Sequence, residues 1–324
     1  MRAVVLTEHA APPETADRAD RAPGDGEALV AVTAAPIVPL DLLCASGTSY
    51  FGAPALPYVP GVQGVGRVLS GRHEGARVWF PTTAGMRPGD GSMAELAVAD
   101  EQDLVVLPDG ADDALAAALG TSAIAAWMAL TWRAGLAEGE QVLVLGAGGV
   151  VGQVAVQLAR LLGARRVVGA ARSEGARERA RAAGADAVVP LSDDDEPAVL
   201  AARMDEACDG PLDVVVDPLC GVPSTAAATL LGRRGRLVNF GSSAGETASY
   251  SSAHLRSHTA AILGYTNNDI TTEQRRDALR AVLRHSVADG LSVAHEVVPL
   301  EDASAAWARQ AAGRADRRLV LRIG

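Results

Sequence analysis

The sequence predicts an α/β protein with two domains, one built on a doubly wound parallel sheet and the other rich in β-strands. The chain of 324 residues has enough material for two hydrophobic cores. Before residue 110 the apolar runs are short and broken by Gly and Pro, which is typical of β-structure. From residue 112 onward strands alternate with helical segments, which is typical of a parallel sheet with right-handed crossovers.

The elements follow in chain order from these patterns. The predicted strands of the first part are AVVLT, EALVAVTAAP, GVGRVLSG, ARVWFP, MAELAVAD and LVVLP. A helical stretch, DDALAAALGTSAIAAWMALTWRAG, comes next. The strands of the parallel sheet are then QVLVLG, RVVGA, DAVVP, LDVVVD, GRLVNFG and, near residue 262, AAILGY. Each of these strands leads into a helical or loop crossover.

The pattern of predicted helices and strands changes once more in the C-terminal part of the chain. Thr271 and Gln274 have the spacing of a capping box, so we expect a helix over TTEQRRDALRAVLRHSVADG. The remaining predicted elements are the strand AHEVVPL, the helix EDASAAWARQAAG and the strand RRLVLRI. We expect this last strand to return to the first domain.

Charge and composition exclude several function classes. A net charge of −10 and only 3% aromatic residues argue against a nucleic-acid partner. The first residues have no run long enough for a signal peptide or a membrane span, so we expect a cytoplasmic protein with no membrane partner. Cys44, Cys208 and Cys220 are too far apart in sequence to predict a disulfide framework or a four-thiolate zinc site.

A glycine-rich turn carries the strongest functional signal. The stretch VLVLGAGGVVGQVAVQLAR joins a predicted strand to a predicted helix. Gly146, Gly149 and Gly152 fit the spacing GxxGxxG better than the usual GxGxxG, with Gly148 as a further glycine. The candidate cofactor-binding residues of the turn are Gly146, Ala147, Gly148, Gly149, Val150, Val151 and Gly152. Backbone amides at the start of such a helix predict a site for the pyrophosphate of a dinucleotide.

The next strand indicates which dinucleotide binds. An acidic residue about twenty positions after the glycines binds the ribose of NAD, whereas an arginine accommodates the 2′-phosphate of NADP. The sequence there is RVVGAARSEGAR, with Arg172 and Ser173 just past the strand and Glu174 after them. Because a guanidinium suits a phosphate, we expect NADP(H) as the cofactor.

Four segments together resemble the medium-chain dehydrogenase/reductase superfamily, in its zinc-free quinone oxidoreductase (zeta-crystallin-like) branch. These are PLDLLCASGTSYFGAPALPYVPGVQGVGRV, GSMAELAVAD, GEQVLVLGAGGVVGQVAVQLARLLGA and GRLVNFGSSAG, which begin at residues 39, 91, 139 and 235. The resemblance covers nearly the whole chain. It implies a GroES-like catalytic domain over residues 1–118 and 267–324, a Rossmann NADP-binding domain over 119–266, and an active site in the cleft between them.

The resemblance also bears on metals. Zinc-dependent relatives place a Cys shortly before an Asp in the first domain and a His-Glu pair in a PGxxGxG segment. The corresponding residues here are Val38, ahead of Asp41, and Val62 with Gln63. Valine has no lone pair to donate, so we expect no metal. An asparagine, frequent in the family at position 38, is also missing.

Three residues are the candidates for catalysis. Tyr50, in the loop GTSYFG, matches a wall of the family's substrate pocket, and its phenol can donate a proton; it could equally be a packing tyrosine. Asp41 and Gln63 match polar positions of the family's active site. Asp41 either accepts from a ribose or orders its loop, and Gln63 can both donate and accept.

The resemblance assigns further residues to the nicotinamide half of the cofactor. These candidates are Thr121, Phe240, Gly241, Ser242, Ser243, Tyr265 and Asn267. The position of Tyr265 and Asn267 in the family often contacts either the cofactor or the partner subunit. The segment SSAG after Phe240 could also be an ordinary turn. The family commonly pairs through its last Rossmann strand, here AAILGY, so we expect a homodimer.

These observations favour an NADPH-dependent, zinc-independent reductase that transfers hydride to a quinone or an α,β-unsaturated carbonyl. Conjugation in such acceptors spreads the incoming charge, so a hydrogen-bond donor can replace a Lewis-acid metal. Two alternatives remain open. One is an enoyl-thioester reductase or a natural-product tailoring reductase, which a basic groove for a carrier or coenzyme A phosphate would favour. The other is an NADPH-binding structural or regulatory protein without turnover.

Overall fold

The computed structural model describes residues 1–324, which divide into two compact units. Unit 1 consists of Met1–Gly120 and Thr272–Gly324, and unit 2 is Thr121–Thr271. The predicted fold class is confirmed, because unit 1 is rich in β-strands and unit 2 contains a parallel sheet flanked by helices.

The first third of the chain supplies most of unit 1. Its elements are β1 (Arg2–Val5), β2 (Glu14–Asp17), β3 (Glu27–Pro36), α1 (Pro39–Ala45), β4 (Gln63–Ser70), β5 (Arg77–Pro81), β6 (Leu96–Asp100), a 3-10 turn (Glu101–Asp103), β7 (Val105–Val106), α2 (Asp113–Met128) and a π-helical turn (Ala129–Arg133). All six predicted strands are present. The strand β2 and the helix α1 were not predicted.

Unit 2 alternates strands and helices as predicted. Its elements are β8 (Gln141–Leu145), α3 (Val150–Leu161), β9 (Arg166–Ala171), α4 (Glu174–Ala182), β10 (Ala187–Pro190), α5 (Pro197–Ala207), β11 (Leu212–Asp217), α6 (Gly221–Ala228), β12 (Leu231–Asn239), α7 (Ser252–His258), β13 (Ala261–Gly264) and a 3-10 turn (Asn267–Asp269).

The C-terminal part of the chain belongs to unit 1. Its elements are α8 (Thr272–Ala288), β14 (His295–Pro299), a 3-10 turn (Leu300–Asp302), α9 (Ala303–Ala311) and β15 (Arg318–Arg322). The last strand, β15, pairs in parallel with β14 and antiparallel with β3. The seven-stranded sheet of unit 1 has the order β14-β15-β3-β4-β5-β7, with β6 also on β3.

The sheet of unit 2 positions the predicted cofactor site. Its six strands are all parallel, in the order β10-β9-β8-β11-β12-β13. The strand order reverses at β8, whose neighbours are β9 and β11. In open parallel sheets, ligands bind beyond the carboxyl ends of the strands at such a reversal. The glycine-rich turn lies there, directly after β8.

The helix α2 contains an irregularity that the sequence did not predict. Gly120 has φ +30° and ψ −128°, so two helical segments meet there. The buried side chain of Gln63 occupies the space where a Cβ at this position would lie. The segment Asp113–Arg133 is long and apolar enough to cross a membrane, but 67% of its most apolar window is buried inside the protein. Its burial is that of a core helix.

Candidate cofactor and active site

The glycine-rich turn has the backbone conformation expected of a strand-to-helix dinucleotide turn. The strand β8 ends at Leu145, Gly146 adopts φ +66°, and α3 begins at Val150. Ala147 donates its N–H to the Ala170 carbonyl at 3.0 Å, which fixes the turn against β9. Gly149 is the residue before the helix and is exposed, with extended backbone angles. The first amides of α3, including Val151, have no carbonyl four residues earlier within the helix.

The glycines of the turn are needed for different physical reasons. A Cβ on Gly152 would overlap the Gly146 carbonyl oxygen and lie 2.5 Å from the Ala147 Cα, so the helix could not begin as it does. A Cβ on Gly148 would overlap backbone atoms of Ala176 in α4. At Gly149, by contrast, the nearest atom within 4 Å would be the Gly146 oxygen, at 3.3 Å. Packing therefore does not require glycine at position 149, and this is the exposed face of the turn.

Two side chains that the sequence did not single out hold the turn in place. The buried Gln153 donates from Nε2 to the Gly148 carbonyl at 3.0 Å. Arg179 donates from Nε to the same carbonyl oxygen, also at 3.0 Å. Because the Gly148 carbonyl is directed towards these donors, it does not face an anion approaching from the exposed side. Gln153 is a polar residue within the apolar segment VVGQVAV, and this pattern could have indicated its role in the turn.

Arg172 follows β9 as predicted and has a mostly exposed side chain. Its side chain is 70% exposed and its Nη1 lies 3.4 Å from Asp193 Oδ1, while the Asp193 side chain is 86% exposed. Ser173 is the N-cap of α4, and its hydroxyl accepts from the Ala176 N–H at 3.2 Å. Glu174 forms ion pairs with the side chains of Arg177 and Arg181. Arg172 is therefore a mostly exposed guanidinium at the end of β9 whose ion pair is long and joins two exposed side chains.

Three of the residues assigned to the nicotinamide half form one hydrogen-bonded group. The Tyr265 hydroxyl donates to Asn267 Oδ1 at 2.5 Å, and Asn267 Nδ2 donates to the Thr121 carbonyl at 2.9 Å. The ring of Phe240 lies edge-on to Tyr265, with 6.1 Å between ring centroids. These four residues, which are distant in sequence, are thus brought together in unit 2. Their contact with a cofactor stays a prediction.

The remaining candidates of this half lie in the loop after β12. A Cβ on Gly241 would come 2.5 Å from the Pro218 carbonyl oxygen, so this loop packs closely against the loop after β11. Ser242 donates to Glu246 at 2.8 Å, and Ser243 donates to the Pro218 carbonyl at 3.3 Å. Both hydroxyls therefore have protein partners, and a cofactor contact would require either hydroxyl to rotate or to accept a hydrogen bond.

Asp217 organises these two loops and was not predicted as a site residue. It is fully buried, and its Oδ1 accepts the N–H groups of Leu219 and Cys220 at 2.9 and 2.8 Å. Its Oδ2 accepts from Asn239 Nδ2 at 3.0 Å. The acidic end of LDVVVD, immediately after a buried strand, was the signal that could have found it.

In unit 1, Asp41 orders its loop. It is 2% exposed, its Oδ2 accepts the Val38 N–H at 2.8 Å, and its Oδ1 accepts the Val62 N–H at 2.9 Å. Burial raises the pKa of Asp41 to about 6, an effect that these hydrogen bonds and the nearby Arg318 charge partly offset. Burial also lowers the pKa of Arg318 to about 10. Of the two roles considered for Asp41, loop ordering is the one that these bonds provide; contact with a ribose stays a prediction.

Gln63 is enclosed within unit 1. It is 1% exposed, its Oε1 accepts from Trp79 Nε1 at 3.1 Å, and its Nε2 donates to the Ala117 carbonyl at 3.4 Å. Val38 and Val62, at the positions that correspond to metal ligands in zinc-dependent relatives, are both 3% exposed and aliphatic. This set offers a metal one amide oxygen that is already bonded. No group of three His, Cys, Asp or Glu side chains in the structure could hold a metal ion.

Tyr50 is the most accessible of the three catalytic candidates. Its side chain is 75% exposed, and its ring centroid lies 4.2 Å from that of Phe51. A phenol with this exposure can donate a hydrogen bond to a bound molecule. Its catalytic role stays a prediction.

Comparison with known proteins identifies the family. Two family models match: the alcohol dehydrogenase GroES-like domain over residues 24–109 and the zinc-binding dehydrogenase over residues 150–284. The description of the second includes zinc binding, but the positions that resemble the family's zinc ligands, Val38, Val62 and Gln63, lie outside its matched residues.

Individual relatives agree with these matches. The quinone oxidoreductase of Homo sapiens is 31% identical over 251 residues, which are 75% of this chain and 73% of that protein. A quinone oxidoreductase of Thermus thermophilus, solved alone and with NADPH, is 28% identical, with a TM-score of 0.82 and 100% coverage of both chains. A mycocerosic acid synthase-like polyketide synthase of Mycobacterium tuberculosis is 34% identical over 224 residues, 68% of this chain but only 10% of that protein.

The match to the human quinone oxidoreductase extends over three quarters of this chain, and the match to the solved Thermus thermophilus structure extends over the whole chain. The resemblance seen in the sequence is thereby confirmed. The chain belongs to the quinone oxidoreductase branch of the medium-chain dehydrogenase/reductase superfamily and is an oxidoreductase.

Proposed function

We propose that this chain is an NADPH-dependent, zinc-independent reductase of quinones or α,β-unsaturated carbonyl compounds. The observation that carries the proposal is the exposed face of the turn at Gly149, at the start of a 12-residue helix and beyond the carboxyl end of β8. The solved relative from Thermus thermophilus, a complex with NADPH, supports the same cofactor. When bound, NADPH would supply the hydride of the reduction.

The residues of the turn would hold the diphosphate. Amides at the start of α3, from Gly149 to Val151, carry the partial positive charge of a helix N-terminus. Gln153 and Arg179 direct the Gly148 carbonyl away from the phosphates. The fit is therefore to a dianionic group that approaches the backbone closely.

Arg172 would bind the ribose 2′-phosphate. Its contact with Asp193 is between two exposed side chains at 3.4 Å, and such pairs contribute about 0–1 kcal/mol. A phosphate can therefore displace Asp193 at little cost, because it accepts two parallel hydrogen bonds from one guanidinium.

Proton donation falls to Tyr50 in this proposal. The side chains of Asp41 and Gln63 are buried and bonded within unit 1, whereas the Tyr50 phenol is exposed. A conjugated acceptor needs only such a donor, because the charge gained at its oxygen is delocalised and no Lewis acid is required. The aliphatic Val38 and Val62 support the same conclusion, since they leave a metal without ligands.

An enoyl-thioester reductase is the second candidate. It is favoured by the match to a polyketide synthase. A thioester conjugated to an alkene accepts hydride for the same reason as an enone, so Tyr50 and the cofactor residues keep their roles.

A substrate panel tests the proposal. Purified protein is mixed with NADPH and either 1,4-benzoquinone or an alkyl enone, and loss of the reduced-nicotinamide absorbance is followed. We expect saturable, protein-dependent oxidation of NADPH. Binding of NADPH without turnover across the panel would instead support the third alternative, a structural or regulatory protein.

A further inference from the structure

The carboxyl ends of β11, β12 and β13 lie side by side in the sheet of unit 2. A doubly wound sheet consists of two mononucleotide-binding halves, and a dinucleotide binds across the point where the strand order reverses. Here β8, β9 and β10 form the half with the glycine-rich turn and Arg172, which would hold the adenosine and the diphosphate. The half formed by β11, β12 and β13 is left for the nicotinamide, so the residues that fix its loops bear on how the nicotinamide is held.

One buried carboxylate holds the loop after β11. Asp217 is the last residue of β11 and is fully buried. Its Oδ1 accepts the N–H groups of Leu219 and Cys220, which fixes the start of this loop. Cys220 has φ +58° and ψ −156°, a conformation that residues other than glycine rarely adopt. Such a conformation persists only where the surroundings enforce it, and the bonds to Asp217 contribute to this.

The same carboxylate joins this loop to the next one. Asp217 Oδ2 accepts from Asn239 Nδ2 at 3.0 Å, and Asn239 is the last residue of β12. The same amide nitrogen donates to the Gly241 carbonyl, also at 3.0 Å. A carboxylate accepts at both oxygens, whereas an amide has one accepting oxygen and one donating nitrogen. Aspartate at 217 and asparagine at 239 are therefore complementary in this arrangement.

Asn239 also connects the pair to the third strand end. Its carbonyl oxygen accepts the Tyr265 N–H at 2.9 Å, directly after β13. The Tyr265 hydroxyl donates to Asn267, which in turn donates to the Thr121 carbonyl. Hydrogen bonds thus run from Asp217 through Asn239 to three of the residues assigned to the nicotinamide half.

We propose that Asp217 and Asn239 are positioning residues that hold the nicotinamide half of NADPH in place for hydride transfer. This rests on the proposed function, because it concerns the same reduction. Neither side chain needs to touch the cofactor, since the carboxylate is fully buried and the amide is bonded to Asp217 and Gly241. They act through the loops after β11 and β12, the second of which contains residues 240–243.

Two nucleotides separate the halves of the site in a binding test. Adenosine 2′,5′-bisphosphate contains the phosphorylated adenosine without the nicotinamide, whereas NADPH contains both. Each is titrated calorimetrically into the wild type, Asp217→Asn and Asn239→Asp. We expect each variant to raise the Kd for NADPH about tenfold and to leave the Kd for the bisphosphate unchanged. The reason is that Asp217→Asn places an amide N–H against another donor, and Asn239→Asp places two carboxylates together.

Exchanging the two residues tests the pair itself. In Asp217→Asn with Asn239→Asp, the amide at 217 can accept the loop N–H groups with its oxygen and donate to the carboxylate at 239. We expect this double variant to bind NADPH more tightly than either single variant. A double variant that binds NADPH no better than the weaker of the two single variants would overturn the pairing.

Asp213→Asn is the matched control. Asp213 lies near the opposite end of the same strand, and its Oδ2 accepts the Gln141 N–H at 2.8 Å. This substitution disturbs the same sheet, so it shows what a loss of stability alone does to binding. We expect it to change the Kd of neither nucleotide. If Asp217→Asn does not fold, Asn239→Ala carries the test, because it removes only the donor at a half-buried position.

Turnover gives a second readout. With 1,4-benzoquinone and saturating NADPH, kcat should fall about tenfold in both single variants, because a displaced nicotinamide transfers hydride more slowly. Equal rises in both Kd values, or no change in either the Kd for NADPH or kcat, would overturn the positioning role and leave the reductase intact. A wild type that binds NADPH but reduces no acceptor would contradict the proposed function, whereas a rise in Kd confined to NADPH would still support the positioning of the nicotinamide.

Discussion

Gly149 and Gly152 lie three residues apart in one turn and should respond differently to the same substitution. Gly152→Ala should lower the free energy of unfolding by about 1–3 kcal/mol, because the added Cβ overlaps backbone atoms. Gly149→Ala should cost less than about 1 kcal/mol, since its Cβ meets one atom, at 3.3 Å. It should nevertheless weaken NADPH binding about tenfold, because the Cβ stands where the diphosphate approaches.

Denaturant unfolding and calorimetric titration of both variants check this prediction. If Gly149→Ala bound NADPH as tightly as the wild type, the exposed face of the turn would not be where the cofactor lies.

Arg172→Ala should separate the two nicotinamide cofactors. We expect the Kd for NADPH to rise about 10–100-fold, because a charged hydrogen bond contributes about 1.5–3 kcal/mol, while the Kd for NADH stays unchanged. Stability should change little, since the side chain is 70% exposed. Arg233→Ala, at an exposed position near the amino end of β12, is the control. An equal loss of affinity for both cofactors would contradict the phosphate assignment.

At the scale of single residues, sequence reasoning succeeded where the backbone itself sets the requirement. The glycine spacing could be predicted because a tight turn and close packing allow no Cβ, and these constraints are local. The roles of Gln153 and Arg179 could not be predicted, since both bond a carbonyl whose direction depends on how α4 packs on the turn. Asp217 was missed for a related reason, because its partners come from two different loops.

Among the elements, α1 contains the buried carboxylate of Asp41, and the titration of this carboxylate makes the free energy of unfolding depend on pH. Because burial raises its pKa from 3.8 to about 6, the folded chain binds this proton more tightly than the unfolded chain. The stability contributed by that proton is fully present below pH 3.8 and is lost as pH rises through about 6.

Asp41→Asn removes this titration. The difference in unfolding free energy, wild type minus variant, should therefore fall as pH rises from about 4 to about 6 and then level off. Thermal or urea unfolding of both proteins across this range measures it. A difference that grows with pH would show that the carboxylate is stabilised as an anion instead.

Elements with a strong apolar period were predictable, and the weakly patterned ones were not. The strand β2 has the sequence ETAD and α1 begins with a proline, so neither presents a recognisable apolar face. The two helical segments of α2 were predicted as one, because alanine and leucine continue through Gly120. The helix is interrupted at Gly120, where the side chain of Gln63 packs against the backbone. Because Gln63 is distant in the chain, no local sequence pattern could predict this contact.

At the scale of the whole molecule, we expect a homodimer formed through β13. This strand is the edge of the six-stranded sheet, paired with β12 on one side, and an unpaired strand edge is available to a second copy. Light scattering after size exclusion should give twice the chain mass of 33.1 kDa. A mass of one chain at all concentrations tested would contradict the dimer.

The two-part architecture was evident in the sequence because the pattern of apolar residues changes sharply. Short runs typical of β-strands give way to alternating strand and helix patterns. The return of β15 to β3 followed from the same change in the tail.

Calorimetric titration of NADPH into the purified chain tests the central claim most directly. We predict one NADPH bound per chain, with NADH bound more weakly because it lacks the phosphate for Arg172. A well-folded protein that takes up neither nucleotide would contradict the account.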